Sequence, residues 1–251
     1  YLEGVYWDLD GTIANTELEA HLPAFNFAFK DFGLNWNWDT SKYVELLKIN
    51  GGRNRIFHYS KIINTSLSNE DVLKVHERKK YYFYKIIKNN TVKLKTGVYR
   101  LVNELYKKNV RQFIVTSSSK NQANLIINLL FKSFNPFEFI ITSDDVQLHK
   151  PNPMPYLKAI KLSGIKSNKS IVFEDSCPGL RSSLAAKLPT IYIPSNIPTN
   201  IDKDIVLDCF LDSLGSESCK ANVIKGPKLH CNYVDHSYLD KYLMNLSNAK
   251  N

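Results

Sequence analysis

Sulfur is scarce in this chain: its 251 residues include four cysteines and two methionines. Cys177, Cys209, Cys219 and Cys231 form no CxxC pair. So few cysteines in a chain this long exclude a small disulfide scaffold, and reduced thiols in a cytosol-like compartment fit better. Cys231 follows His230, but without paired ligand spacing the two read as ordinary side chains rather than a zinc site. Long apolar runs are also missing. None approaches the roughly 20 residues that span a bilayer, so no membrane partner is expected. Charged residues stand at positions 3, 8 and 10 and no apolar region follows them, so no signal peptide is expected. There is no low-complexity segment and no internal repeat.

What is present suffices for a sizeable core, since 43% of the residues are hydrophobic. The length fits one large domain, or a core with a smaller domain inserted. A net charge of +9 favours an anionic partner: nucleic acid, a membrane surface or a phosphorylated metabolite. The Lys and Arg are scattered, however. The densest cluster, Glu77-Arg78-Lys79-Lys80, reads as the solvated face of a helix, and no nucleic-acid partner is expected.

Short β-rich runs recur: GVYW at 4–7, QFIVT at 112–116, EFIIT at 138–142, SIVFE at 170–174 and TIYIP at 190–194. Each is apolar on both faces, as parallel strands covered by helices must be. Amphipathic helical patterns, such as Val98 to Lys108 and Gln122 to Phe131, lie between them. The alternation predicts an α/β fold, a Rossmann-like doubly wound parallel sheet. Residues 16–91 break it with helix after helix and no convincing strand. They read as an all-helical cap inserted after strand one. The core is then 1–15 and 92–251, and its last part, from about Gly215, is an extension holding a VIKGP run and a helix from Asp235 to Leu246.

Asp8 and Asp10 stand one residue apart where the first strand ends, and Gly11-Thr12 follows. Adjacent carboxylates repel, and are tolerated where a cation binds them or one holds a proton. Asp8 could act as a nucleophile and Asp10 as acid and base. An Asp-Gly turn after a strand is the plain alternative. Three later segments also follow strands and so reach the same sheet edge, where open α/β sheets bind ligands. Thr116-Ser117-Ser118-Ser119 offers hydroxyls and N–H groups for a phosphate, or simply caps a helix. Lys150, held in His149-Lys150-Pro151-Asn152-Pro153, could neutralise a phosphoryl group, or is a loop lysine. Glu174-Asp175 could bind Mg²⁺ together with Asp8, or favour a helix N-terminus.

DLDGT at 8–12, TSSS at 116–119, KPNP at 150–153 and EDSCPG at 174–179 together resemble the haloacid dehalogenase superfamily of phosphotransferases. That resemblance implies Asp8 as the nucleophile that forms an aspartyl-phosphate, Asp10 as general acid and base, and Mg²⁺ held by Asp8, the Asp10 carbonyl and Asp175. Thr116 and Lys150 complete the implied catalytic set, with Ser117 and Ser118 near the phosphate and Glu174 beside the metal.

In the cap, Glu17 and His21 are four residues apart on a helix and share a face that could meet a sugar hydroxyl, or are a surface pair. Asn50-Gly51-Gly52-Arg53-Asn54-Arg55 combines backbone N–H groups with two forked cations, a candidate second phosphate site, or is a flexible basic turn. TELEAHLPAFN, GGRNRI, KPNP, LDSLG at 211–215, GP at 226–227 and YVD at 233–235 resemble the CbbY family of xylulose 1,5-bisphosphate phosphatases, nearly end to end. The resemblance implies removal of the 1-phosphate from a Rubisco inhibitor by a monomer, in the cytoplasm, or in the plastid stroma of a photosynthetic eukaryote. It also implies a cap that closes over small substrates. His149 and the long serine run depart from that family's pattern. The rival readings are a β-phosphoglucomutase-like mutase, a phosphatase of another small metabolite, and a Rubisco-associated regulatory protein without catalysis.

Overall fold

The computed structural model describes residues 1–49, 51–89, 92–197 and 200–248. It divides into two compact units, Tyr1–Asn15 with Leu94–Asn251, and Thr16–Lys93.

The first unit is built on a seven-stranded sheet of order β3-β2-β1-β4-β5-β6-β7. The strands are β1 (Gly4–Trp7), β2 (Arg111–Val115), β3 (Phe137–Ile141), β4 (Ser170–Glu174), β5 (Thr190–Tyr192), β6 (Cys209–Leu211) and β7 (Val223–Lys225). All neighbours are parallel except β6 and β7. Helix α5 (Val98–Lys107) precedes β2 and buries Val98, Leu101, Val102 and Leu105, one stripe at helical spacing. Helices α6 (Lys120–Leu130), α7 (Met154–Ser163) and α8 (Cys177–Ala185) follow β2, β3 and β4, and α9 (His236–Asn248) ends the chain's described part.

The central strands β1, β4 and β5 are buried on both faces. Trp7 stacks on Phe173 at 4.4 Å, and Tyr6, Phe113 and Phe139 form a ladder at 5.2 and 4.5 Å. The one amide among them is satisfied: Gln112 accepts from the Trp7 indole at 3.1 Å and donates to the Val102 carbonyl at 2.9 Å. Trp7 lies opposite both Ile114 and Phe173. One residue further along, Asp8 is therefore level with Val115 and Glu174. The chain runs from β1 outward to β2 and β3, then returns to the other side for β4 and β5. Such a switch point leaves a crevice at the strands' carboxyl ends.

The second unit holds a single π-helical turn (Glu17–His21), then α1 (Leu22–Asp31), α2 (Thr40–Leu46), α3 (Gly52–Ile62) and α4 (Asn69–Lys88), with no strand among its described residues. Its core is aromatic: Phe25, Phe29, Trp36, Trp38 and Tyr43 pack with Ile56, Val72 and Val75. Burying each large side chain is worth about 1.5–3 kcal/mol. Asn26 ties α1 to the following loop through two 2.8 Å hydrogen bonds with the Trp38 backbone. Helix α4 opens with a capping box between Ser68 and Asp71.

Candidate active site

Four segments converge at the carboxyl edge of β1, β2 and β4. Lys150, in the loop before α7, is buried and uses all three of its donors. Its ammonium donates to Asp8 Oδ1 at 2.7 Å, Glu174 Oε1 at 2.7 Å and the Val115 carbonyl at 2.8 Å. Burial alone would lower its pKa, but the Asp8 and Glu174 carboxylates outweigh that and hold the proton on. Glu174 is fully buried and also accepts from the Tyr156 hydroxyl at 2.5 Å. A Cβ on Gly179 would meet the Glu174 carboxylate at 1.9 Å, so glycine leaves this acid its space. The structure thus gives Glu174 Oε1 to orienting Lys150.

Asp10 is held from the β2 side. Its Oδ2 accepts from the Ser118 hydroxyl at 2.6 Å and the Thr116 hydroxyl at 3.3 Å, and Thr116 Oγ1 accepts the Ser118 N–H at 3.0 Å. Ser117 is exposed beside them. Gly11, at φ +93°, opens the turn that follows Asp10, and a Cβ there would lie 1.9 Å from Asp175 Oδ2. Both the left-handed backbone and the close approach require glycine.

The buried acids crowd together. Ligand atoms of Asp8, Glu174 and Asp175 lie within 4.8 Å of one another. Asp8 Oδ2 is buried without a hydrogen-bond partner among the described residues. Burial pushes Asp8 well above the ordinary carboxylate range, and burial with the neighbouring Glu174 pushes Asp175 up to about 7. Three buried carboxylates face the buried Lys150 ammonium and the half-buried Lys95. An all-oxygen donor set, an orphaned carboxylate oxygen and an excess of negative charge fit a hard divalent cation such as Mg²⁺.

The sequence matches the haloacid dehalogenase-like hydrolase family over residues 5–193. The chain belongs to the haloacid dehalogenase-like hydrolases. It is 32% identical to the protein CbbY of Rhodobacter capsulatus over 196 residues, which is 77% of this chain and 86% of that protein. It is 29% identical to a CBBY-like protein of Arabidopsis thaliana, covering 82% of this chain and 68% of that one. A crystal structure of CbbY from Rhodobacter sphaeroides in complex with xylulose 1,5-bisphosphate superposes with a TM-score of 0.76 at 28% identity, covering 85% of this chain and 95% of that one. A β-phosphoglucomutase from Clostridium difficile, 20% identical with a TM-score of 0.73, covers 99% of this chain and 100% of its own, and shares the fold. Within the hydrolase family this chain is a phosphoric monoester hydrolase.

Members of the family generally use a divalent metal, and the acid cluster suits one. The strand-end residues Asp8, Asp10, Thr116, Ser118, Lys150, Glu174 and Asp175 are all brought together. The sequence reading missed three others. Lys95 donates to the Gly11 carbonyl at 2.5 Å and the Pro194 carbonyl at 2.8 Å, fixing the turn that follows Asp10. Ser195 hydrogen-bonds Asp175, and Tyr156 orients Glu174. None of these has a recognisable spacing from the motifs; only Tyr156, six residues past Lys150, is near in sequence.

The remaining residues lie in the helical unit. Glu17 and His21 share one π-helical turn, but neither faces outward unengaged. Glu17 accepts from the Tyr43 hydroxyl, and His21 stacks on Phe83 at 4.3 Å with its Nδ1 2.6 Å from Lys79 Nζ. Lys79 corrects the reading of residues 77–80 as a solvated face, since it is 3% exposed and lies over Phe25 and Phe83 at 4.8 and 5.1 Å. It falls on the buried stripe Val72, Val75, Lys79, Phe83 of α4. Gly51 and Gly52 open α3, and Asn50 lies outside the described residues. Arg55 donates through Nε to the Ile49 carbonyl at 2.9 Å and lies over the Tyr43 ring at 5.8 Å. Arg53 is exposed, and no hydrogen bond engages it among the described residues.

Proposed function

We propose that this chain hydrolyses a small sugar bisphosphate, converting xylulose 1,5-bisphosphate to xylulose 5-phosphate through an aspartyl-phosphate at Asp8. The observation that carries the chemistry is the Asp8 carboxylate, fixed by Lys150 at one oxygen and unsatisfied at the other, beside an Asp10 held by hydroxyls. Similarity to CbbY over most of both chains supports the choice of sugar.

In this reading Asp8 attacks the phosphorus of the 1-phosphate, forming a carboxyl O–P bond as the P–O bond to the sugar breaks. Asp10 donates its proton to the leaving sugar oxygen. Asp10, now ionised, takes a proton from water, whose oxygen attacks phosphorus and releases inorganic phosphate and free Asp8. Ser117 donates to the transferring phosphate oxygens, while the Thr116 and Ser118 hydroxyls, beside the phosphate, hold Asp10. Lys150 keeps Asp8 oriented and offsets the charge that builds on the phosphoryl group. Asp8, Asp175 and the Asp10 carbonyl would hold Mg²⁺, with Glu174 behind them orienting Lys150. The ion supplies charge neutralisation and Lewis acidity at the phosphoryl oxygens.

The second phosphate falls to the cap's own anion donors, Arg53 and the N–H groups of Gly51 and Gly52 at the start of α3. Glu17, His21 and Lys79 supply polar groups for the sugar, and Arg55 shapes the loop before α3. Phosphate release with Mg²⁺ from xylulose 1,5-bisphosphate, ribulose 1,5-bisphosphate, glucose 1-phosphate and phosphoglycolate tests the reading. A preference for xylulose 1,5-bisphosphate, abolished in Asp8→Asn, is expected. Equal or faster release from a monophosphate would keep the nucleophile and discard the substrate.

A further inference from the structure

The last part of the first unit carries a cluster that phosphoryl transfer does not use. His230, Cys231 and Asp235 each offer a ligand atom, and the three atoms lie within 4.8 Å of one another. His230 Nε2 and Asp235 Oδ2 are 3.0 Å apart. A tetrahedral ion with bonds of about 2.0–2.3 Å holds its ligand atoms roughly 3.3–3.8 Å apart. No side of the triangle exceeds 4.8 Å, so the longest need shorten by about an ångström at most.

The backbone beneath the cluster is already in place. The Ala221 N–H donates to the Asn232 carbonyl at 2.7 Å, and the Val234 N–H to the Leu214 carbonyl at 2.9 Å. Arg100 donates to the Val234 carbonyl and lies over the Tyr233 ring at 4.0 Å. Asp235 Oδ1 accepts the Tyr238 N–H at 2.9 Å in the first turn of α9, which aims Oδ2 at His230. Orientation of a ligand by a hydrogen bond to its other atom is what metal centres use to fix their donors. Cys231 Sγ makes only a weak hydrogen bond, donated to the Tyr233 carbonyl at 3.2 Å.

We propose that His230, Cys231 and Asp235 bind a borderline-soft divalent transition metal of the Zn²⁺ class, with one position left to water. Imidazole nitrogen and thiolate sulfur select that class, whereas Mg²⁺ and Ca²⁺ take oxygen donors such as Asp8 and Asp175. On binding, the Cys231 thiol loses its proton to solvent and a metal–sulfur bond replaces the S–H···O contact. The ion would pin the loop at 230–235 to the start of α9 and leave the phosphatase chemistry untouched.

Cobalt(II) titration of the full chain, with Mg²⁺ in excess to fill the carboxylate cluster, tests this. A near-ultraviolet sulfur-to-cobalt charge-transfer band saturating at one ion per chain is expected, and Zn²⁺ should bleach it. The band should vanish in Cys231→Ser, weaken tenfold or more in affinity in His230→Ala, and persist in Asp8→Asn. Phosphate release by Cys231→Ser should match the parent, which also reports an intact fold. No band in the parent chain, or a band that survives Cys231→Ser, would overturn the proposal.

Discussion

In the first unit Lys150 meets two carboxylates and a carbonyl, all within 2.8 Å. In the second, Lys79 is buried as deeply but faces an imidazole at 2.6 Å and two aromatic rings. The first arrangement fixes an ammonium by opposite charge and leaves it one geometry. The contacts of the second ammonium with the two rings vary in strength with desolvation. The contrast matches the two tasks of the proposed reaction. Chemistry needs a nucleophile held at one angle, while selection of a sugar needs polar groups that can change partner as substrate arrives.

The largest effect tests the fixed site. Asp8→Asn should lower phosphate release by about four orders of magnitude or more, since no other group can form the covalent intermediate. A variant retaining a few per cent of the activity would break the account.

Next comes the difference between the two lysines. Lys150→Met leaves Asp8 and Glu174 buried without their cation and should cost about 3–5 kcal/mol in denaturant unfolding. Lys79→Met forfeits the contacts with the Phe25 and Phe83 rings, which contribute no more than about 2 kcal/mol. Equal losses would erase the distinction.

The units should also respond oppositely to pH. Burial, with the nearby Lys79 charge, lowers His76 from 6.5 to about 4. The unfolded chain then binds the proton more readily, so its contribution is full above pH 6.5 and is lost as pH falls towards 4, by at most about 3 kcal/mol. Asp175 is raised from 3.8 to about 7, so the folded, metal-free chain binds the extra proton and stability falls as pH rises between those values. Mg²⁺ should reverse that loss. Amide hydrogen exchange followed separately in α4 and in β1 and β4 reads both slopes, and slopes of the same sign would contradict the assignment. His76→Gln should flatten the first alone.

The smallest effect separates the two arginines. Arg53→Ala should raise KM for a bisphosphate about tenfold with kcat little changed, as loss of a charge-assisted hydrogen bond to substrate implies. Arg55→Ala should in addition lower stability, because Arg55 also braces the Ile49 carbonyl. An unchanged KM in both would remove the second phosphate from the cap.

The motifs were legible because Asp8, Thr116 and Glu174 each stand within a residue of a strand end, where apolar runs stop abruptly. SIVFE coincides with β4, whereas β5 ends at Tyr192 before Pro194, a residue that cannot donate to a ladder. Lys95 was invisible because it acts across 84 residues on a backbone carbonyl, a partner that leaves no mark in side-chain pattern. Lys79 was misread because a charge run drew attention from the helical stripe beneath it. His230 and Cys231 lacked a third ligand in sequence terms, since Asp235 enters through the geometry of the turn before α9 and not through a zinc spacing.

The central claim is that phosphate passes through Asp8. Acid quenching during turnover of xylulose 1,5-bisphosphate, followed by mass spectrometry of the peptide containing Asp8, tests it most directly. The account expects a phosphoryl group on Asp8 that is absent from Asp8→Asn and disappears as substrate is exhausted. Steady phosphate release with Asp8 unmodified, or undiminished release by Asp8→Asn, would contradict it.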